Sequence, residues 1–189
     1  FQGVAQYDGA SGGGLSGHVA SASASVYYRP QNGRVGVSVG YADGNISGVG
    51  SGHGWSYGVF GEYYGEKVTF TGKIGILDPQ APLDNVTYVG AALTGYANDN
   101  WAISGQVNYF DTSGGNMTLG TLQAEYLFPG KPVSLSGFYT YANISGGGGS
   151  ANIFGIQLKV YFGGGNTLQQ DHQTGADTFA VTPGLRYSF

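Results

Sequence analysis

Apolar and polar residues alternate along most of this chain with a period of two. Phe154, Ile156, Leu158, Val160 and Phe162 share one face of an extended strand, against Gly155, Gln157, Lys159 and Tyr161. Leu122, Ala124, Tyr126 and Phe128 oppose Thr121, Gln123 and Glu125 in the same way. Trp101, Ile103, Val107 and Tyr109 oppose Ser104, Gln106 and Asn108, and Val68, Phe70, Ile74 and Ile76 oppose Lys67, Thr69, Thr71 and Lys73. Val35, Val37, Val39 and Tyr41 lie against Arg34, Ser38 and Gly40. Ala20, Ala22, Ala24 and Val26 against Ser21, Ser23 and Ser25 are a weaker version, and from Val86 to Tyr96 either face could be outward.

Tight-turn signals separate these segments. Pro30-Gln31-Asn32-Gly33, Tyr64-Gly65-Glu66, Asn98-Asp99-Asn100, Pro129-Gly130-Lys131-Pro132 and Gly163-Gly164-Gly165-Asn166 centre at 31, 65, 99, 130 and 164, in steps of 34, 34, 31 and 34 residues. Longer polar stretches centre near 12, 47, 81, 114, 147 and 176. A period in the mid-thirties also suits helical solenoids, but segments alternating every second residue and rich in Gly, Thr, Val and Tyr do not. Two strands of about ten residues, one tight turn and one longer loop fill such a period.

Composition decides which face is the core. A soluble sandwich buries its large apolar face and covers the other with many Lys, Glu and Arg. Here the polar faces are mostly Gly, Ser, Thr, Gln and Asn, and only 10% of all residues are charged. With 37 Gly, 15 Tyr and 10 Phe, the chain is too aromatic for disorder and has no collagen period. Small polar residues suit the inside of a membrane barrel whose apolar face meets lipid, and this reading is preferred over the sandwich. No apolar run approaches the roughly 18 residues of a membrane helix, so a span would be a closed barrel. The absence of Cys excludes a disulfide scaffold and a Cys-ligated metal. A start at Phe1 without Met or signal peptide reads as a mature or trimmed end, and Ser145–Ser150 reads as a flexible Gly-rich loop.

The last eleven residues, FAVTPGLRYSF, place Leu185, Tyr187 and Phe189 on one side of a strand that stops at an aromatic carboxy-terminus. This resembles the terminal strand of Gram-negative outer-membrane β-barrels of the small porin-like kind, whose final Phe follows an aromatic residue two positions earlier. Tyr187 and Phe189 match that assembly signal. The resemblance implies an all-β, transmembrane, antiparallel up-and-down barrel forming one domain over residues 1–189, with tight turns and Phe189 at the periplasmic side. It implies contact with outer-membrane lipid, lipopolysaccharide and the barrel-assembly machinery. Parity then gives twelve strands, at about 1–8, 17–29, 34–42, 54–64, 67–77, 86–97, 101–111, 118–128, 133–143, 152–162, 166–173 and 179–189. The first and eleventh are weak, and a ten-strand barrel with irregular ends is the alternative. Pro30, Pro79, Pro82, Pro129 and Pro132 all fall in connections, whereas Pro183 requires a bulge or frayed pairing.

Every charge can be placed on this scheme. The outer loops take Asp8, Asp43, Asp78, Asp84, Asp111, Asp171 and Asp177 without a single Lys or Arg. The lumen wall takes Arg34, Lys67, Lys73, Lys159 and Arg186 with Glu62 and Glu125. Arg29, Lys131, Glu66 and Asp99 in turns cancel, which leaves the net charge of −4. Ordinary turn chemistry accounts for the loop aspartates. An acidic mouth attracting cations, including those that bridge lipopolysaccharide, is the sharper reading.

His18, His53 and His172 lie in or beside expected outer loops, and neither a catalytic constellation nor a metal-ligand set can be assembled around them. The expectation is therefore no enzyme, no cofactor and no nucleic-acid partner. A homo-oligomer or protein partner is left open. The leading expectation is a small porin-like channel for ions or small polar solutes, and the alternative is a non-conducting barrel that anchors a partner or supports the membrane. Cross-bridging of Arg34, Lys67 and Arg186 by Glu62 and Glu125 near the periplasmic end would favour the alternative.

Overall fold

The computed structural model describes residues 2–12, 15–46, 50–79, 84–145, 149–161 and 167–174. Among the described residues ten strands follow one another: β1 (Gln2–Gly12), β2 (Leu15–Tyr28), β3 (Gly33–Ile46), β4 (Gly50–Tyr64), β5 (Val68–Pro79), β6 (Val86–Asn98), β7 (Trp101–Thr112), β8 (Gly115–Leu127), β9 (Val133–Ile144) and β10 (Gly149–Val160). A short helix, α1 (Leu168–Thr174), completes the described chain. Each strand pairs antiparallel with the next in a single up-and-down sheet. Among the described residues no ladder joins β10 to β1, so the sheet is open along that seam.

The expected tight turns at 30–33, 64–66, 98–100 and 129–132 close hairpins at one end, and the one at 163–166 lies outside the described residues. Asn98 Oδ1 accepts the amides of Asn100 and Trp101 at 2.9 and 3.0 Å, holding the β6–β7 turn. In the β8–β9 turn, Gly130 supplies a φ of 69° and Lys131 N donates to Phe128 O at 3.1 Å. At the other end the expected long loops are shorter than their composition suggests. Main-chain pairing continues through Gly9-Ala10-Ser11-Gly12 against Leu15-Ser16-Gly17-His18, and through Asp111–Thr112 against Gly115–Asn116. Ladder hydrogen bonds require no side-chain pattern, so Gly- and Ser-rich stretches extend the strands to 11–15 residues. Asp8, Asp43, Asp78 and Asp111 therefore belong to strands rather than loops.

The expected strand over 166–173 is a helix instead. Its residues are nearly all polar and carry no alternation that could commit them to a sheet. The parity that returned the chain to the tight-turn end relied on that strand and loses its support. The terminal strand 179–189, with Arg186, Tyr187 and Phe189, lies outside the described residues, as do Asp177 and residues 146–148 of the Gly-rich loop.

The sheet is rolled. Gln173 O accepts a hydrogen bond from Arg29, one residue beyond β2, while its neighbour His172 meets Tyr161, one residue beyond β10, at 3.1 Å. Eight flat strand spacings would put those strands roughly 38 Å apart. One short helix can touch both only if the sheet curls around it.

The two faces invert the arrangement of a soluble sandwich. Phe154, Ile156, Leu158, Leu122 and Ile103 are 77, 80, 65, 62 and 61% exposed, whereas Arg34, Glu125 and Asn108 are 1, 2 and 1% exposed. The ambiguous segment is resolved: in β6 Tyr88, Ala92, Thr94 and Tyr96 are buried, and Val89 and Leu93 are exposed. Register forces this, since Val89 lies opposite Ile74 and Tyr109 on the outer face.

Candidate functional site

The concave face carries side chains in three tiers. Away from the tight turns, Tyr88, Phe110, Leu119 and Ala142 pack together, with Leu77, Val86, Met117 and Ala151 around them. Tyr88 fits because β4 and β5 present Gly58 and Gly75 beneath it; a Cβ at either would come within 2.3 Å of its hydroxyl. The middle tier is polar. Thr94 pairs with Ser104 at 2.8 Å and Thr121 with Thr140 at 2.8 Å, while Lys73 and Asn108 lie over the bare backbone of Gly90.

The tier at the tight-turn end holds the charges. Arg34 Nε and Nη2 donate to the Glu62 carboxylate at 2.7 and 2.9 Å, and Tyr64 OH donates to it at 2.7 Å. The Arg34 guanidinium also lies over the Tyr27 and Phe60 rings, at 5.5 and 5.8 Å. Further round the sheet, the Glu125 carboxylate accepts from Ser134 Oγ at 2.5 Å, Tyr161 OH at 2.6 Å and Lys159 Nζ at 2.6 Å. Gln123 Nε2 donates to it at 3.3 Å, and His172 Nε2 also lies 3.3 Å away. Burial and then the Glu125 charge push the Tyr161 phenol well above its usual range, so it stays a donor.

Across this end lies α1. Leu168, fully buried, packs with Tyr96, Ala102, Leu127 and Tyr161, and its amide donates to Asp99 O at 2.7 Å. Gln169 Nε2 donates to Glu66 O at 3.0 Å, His172 Nδ1 meets Tyr96 OH at 3.3 Å, and Gln173 Nε2 donates to Thr69 Oγ1 at 3.3 Å. Burying Leu168 contributes about 2–3 kcal/mol and each neutral hydrogen bond about 1 kcal/mol net. The helix is thus fastened to several turns by polar bonds around one apolar anchor.

Several expected site residues meet here and others do not. Arg34 joins Glu62, and Lys159 joins Glu125, in two separate ion pairs. Lys73 is buried in the middle tier. Lys67 departs from the lumen wall: it sits in the β4–β5 turn, exposed, because β5 begins only at Val68. Asp171 is not in an outer loop. It is 1% exposed within α1, at the tight-turn end, since the segment folds as a helix there. His172, expected near an outer loop, lies at that end for the same reason. Asp43, Asp78, Asp84 and Asp111 are exposed at the opposite end, where Asp84 accepts a hydrogen bond from Ser113 Oγ.

Sequence reasoning passed over Tyr64, Tyr96, Ser134 and Tyr161 as partners of the charges; only the spacing of Glu62 and Tyr64 on one strand face was a local signal. Ser134 Oγ is turned to Glu125, while His172 faces two phenols and that carboxylate. This arrangement holds Ser134, Tyr161, Lys159 and His172 around one carboxylate. Among the described residues no group of three or more His, Cys, Asp or Glu could hold a metal ion. No family model, curated protein or solved structure matches the chain.

Proposed function

We propose that the chain is an outer-membrane β-barrel with an interior packed by its own side chains: a non-conducting barrel that anchors a partner or supports the membrane. One observation carries this reading, the inverted sheet. An outer face bearing Val37, Val59, Ile74, Ile103, Leu122 and Leu158 at 49–65% exposure suits hydrocarbon, and among the described residues no Lys, Arg, Asp or Glu interrupts it between its aromatic borders. Trp55, Tyr57 and Tyr109 toward one end, and Tyr63, Trp101 and Phe128 toward the other, are exposed where interfacial rings belong. From Trp101 to Tyr109, eight steps along a strand tilted by roughly 40° span about 20 Å, which suits a thin bilayer.

The packed interior favours the anchoring barrel over a channel. A water-filled pore leaves wall side chains wet, yet Ser134, Thr140 and Leu119 are 0% exposed, and both wall carboxylates are bridged to cations. The channel reading keeps one supporting observation, the buried polar atoms of Asn108, Ser136 and Gln157 that have no hydrogen-bond partner. Lipid, lipopolysaccharide and the barrel-assembly machinery are the proposed partners, without catalysis or cofactor. Planar-bilayer recording of the refolded protein tests function, with no steady conductance expected. Reproducible unitary steps overturn the closed interior in favour of the channel. A monodisperse monomer free of detergent overturns the membrane reading itself.

A further inference from the structure

We propose that α1 is a removable stopper on a hydrated polar interior, seated on Glu125 and released toward the tight-turn end. Two residues with unmet polar atoms lie beside that carboxylate in the sheet. Ser136 faces Glu125 on one side and Gln157 on the other in the strand register. Ser136 Oγ, Gln157 Oε1 and both amide atoms of Asn108 are buried without a partner. Buried groups of this kind are ordinarily satisfied by water. Toward the far end lies the apolar packing of Tyr88, Phe110 and Leu119, while α1 covers the tight-turn end.

The helix is built to leave without unfolding the sheet. Its seven residues are too few to be stable alone, so its fold depends on its seat. Leu168 and Asp171 are its buried residues, and its other attachments include hydrogen bonds to turn carbonyls, two phenols, the Glu125 carboxylate, the Thr69 hydroxyl and the Arg29 guanidinium. Water can replace each such bond, so opening costs far less than separating ten laddered strands. The same bonds reach Arg29, Glu66, Asp99, Glu125 and Tyr161, which puts one short element in control of the whole rim.

This inference goes beyond the membrane assignment and is tested independently of it, on folded protein in whatever medium keeps it folded. The chain has no cysteine, so Ser136→Cys places a single thiol behind the stopper without removing any hydrogen bond. Its rate of modification by a small, water-soluble maleimide is read at residue 136 by peptide mass mapping. We expect a slow reaction in the parent, at least tenfold faster with His172→Ala. Bridging Gln169→Cys to Glu66→Cys with a short bifunctional thiol cross-linker, before the reagent is added, is expected to slow the parent rate at least a further tenfold. Should His172→Ala impair folding, as judged by β-sheet circular dichroism, the cross-linked protein decides alone. A rate at residue 136 that is unchanged by the cross-link overturns the stopper.

Discussion

Glu125→Ala removes the carboxylate on which Lys159, Tyr161, Ser134 and Gln123 converge. The site is buried: the Glu125 side chain is 3% exposed and that of Lys159 12%. Breaking one partner out of a buried ion pair costs about 3–5 kcal/mol, because the remaining charge loses its compensation in a medium of low polarity. Two hydroxyl donors left without this acceptor act in the same direction. The expected loss is therefore about 4 kcal/mol, measured as the shift in urea midpoint of detergent-refolded protein multiplied by the transition slope. The control is Glu125→Leu combined with Lys159→Met, which removes both charges and should cost less than Glu125→Ala alone. The two single changes should be non-additive by about 0.5–3 kcal/mol. A loss below about 1 kcal/mol for Glu125→Ala, or strict additivity, would show that this contact contributes nothing to holding the turn end.

Further outcomes follow from other parts of the structure. Gly75→Ala places a Cβ 2.2 Å from Tyr57 O and 2.3 Å from Tyr88 OH, and should cost about 1–3 kcal/mol in the same urea assay, whereas Gly72→Ala, with nothing within 4 Å, should be nearly neutral. Leu158→Cys and Val160→Cys should react with a bilayer-partitioned probe and resist a water-soluble thiol reagent, while Lys159→Cys should escape the bilayer probe; equal labelling at all three would mean the register is wrong. Ile156→Arg, at 80% exposure, should destabilise the protein by about 2–4 kcal/mol in bilayers if it lies at mid-depth, and hardly at all if that face meets water. The raised Tyr161 phenol keeps its proton in the folded state at pH values where the unfolded chain releases it. Its stability contribution is thus complete below pH of about 10 and declines above it, and Tyr161→Phe should flatten that alkaline decline in the urea midpoint.

What the sequence determined by itself was local. Alternation in Phe154–Val160, Leu122–Phe128 and Val35–Tyr41 sets which side chains share a face, because the pleat turns successive residues to opposite sides whatever the rest of the chain does. Turn chemistry at Pro30–Gly33 and Asn98–Asn100 likewise acts within a few residues. Tertiary structure decided the rest. Val86–Tyr96 could not choose a face until Val89 was set beside Ile74 and Tyr109, and Gly58 and Gly75 made room for Tyr88. Glu125 meets Lys159 and Tyr161 from 34 and 36 residues away, a proximity that register and rolling create. The segment from Leu168 to Thr174 has no periodicity to fix its state, and its helix takes shape against carbonyls and phenols supplied by distant turns. Seven residues, six of them polar, cannot stabilise a helix from within, so that element is determined by where the rolled sheet places its partners.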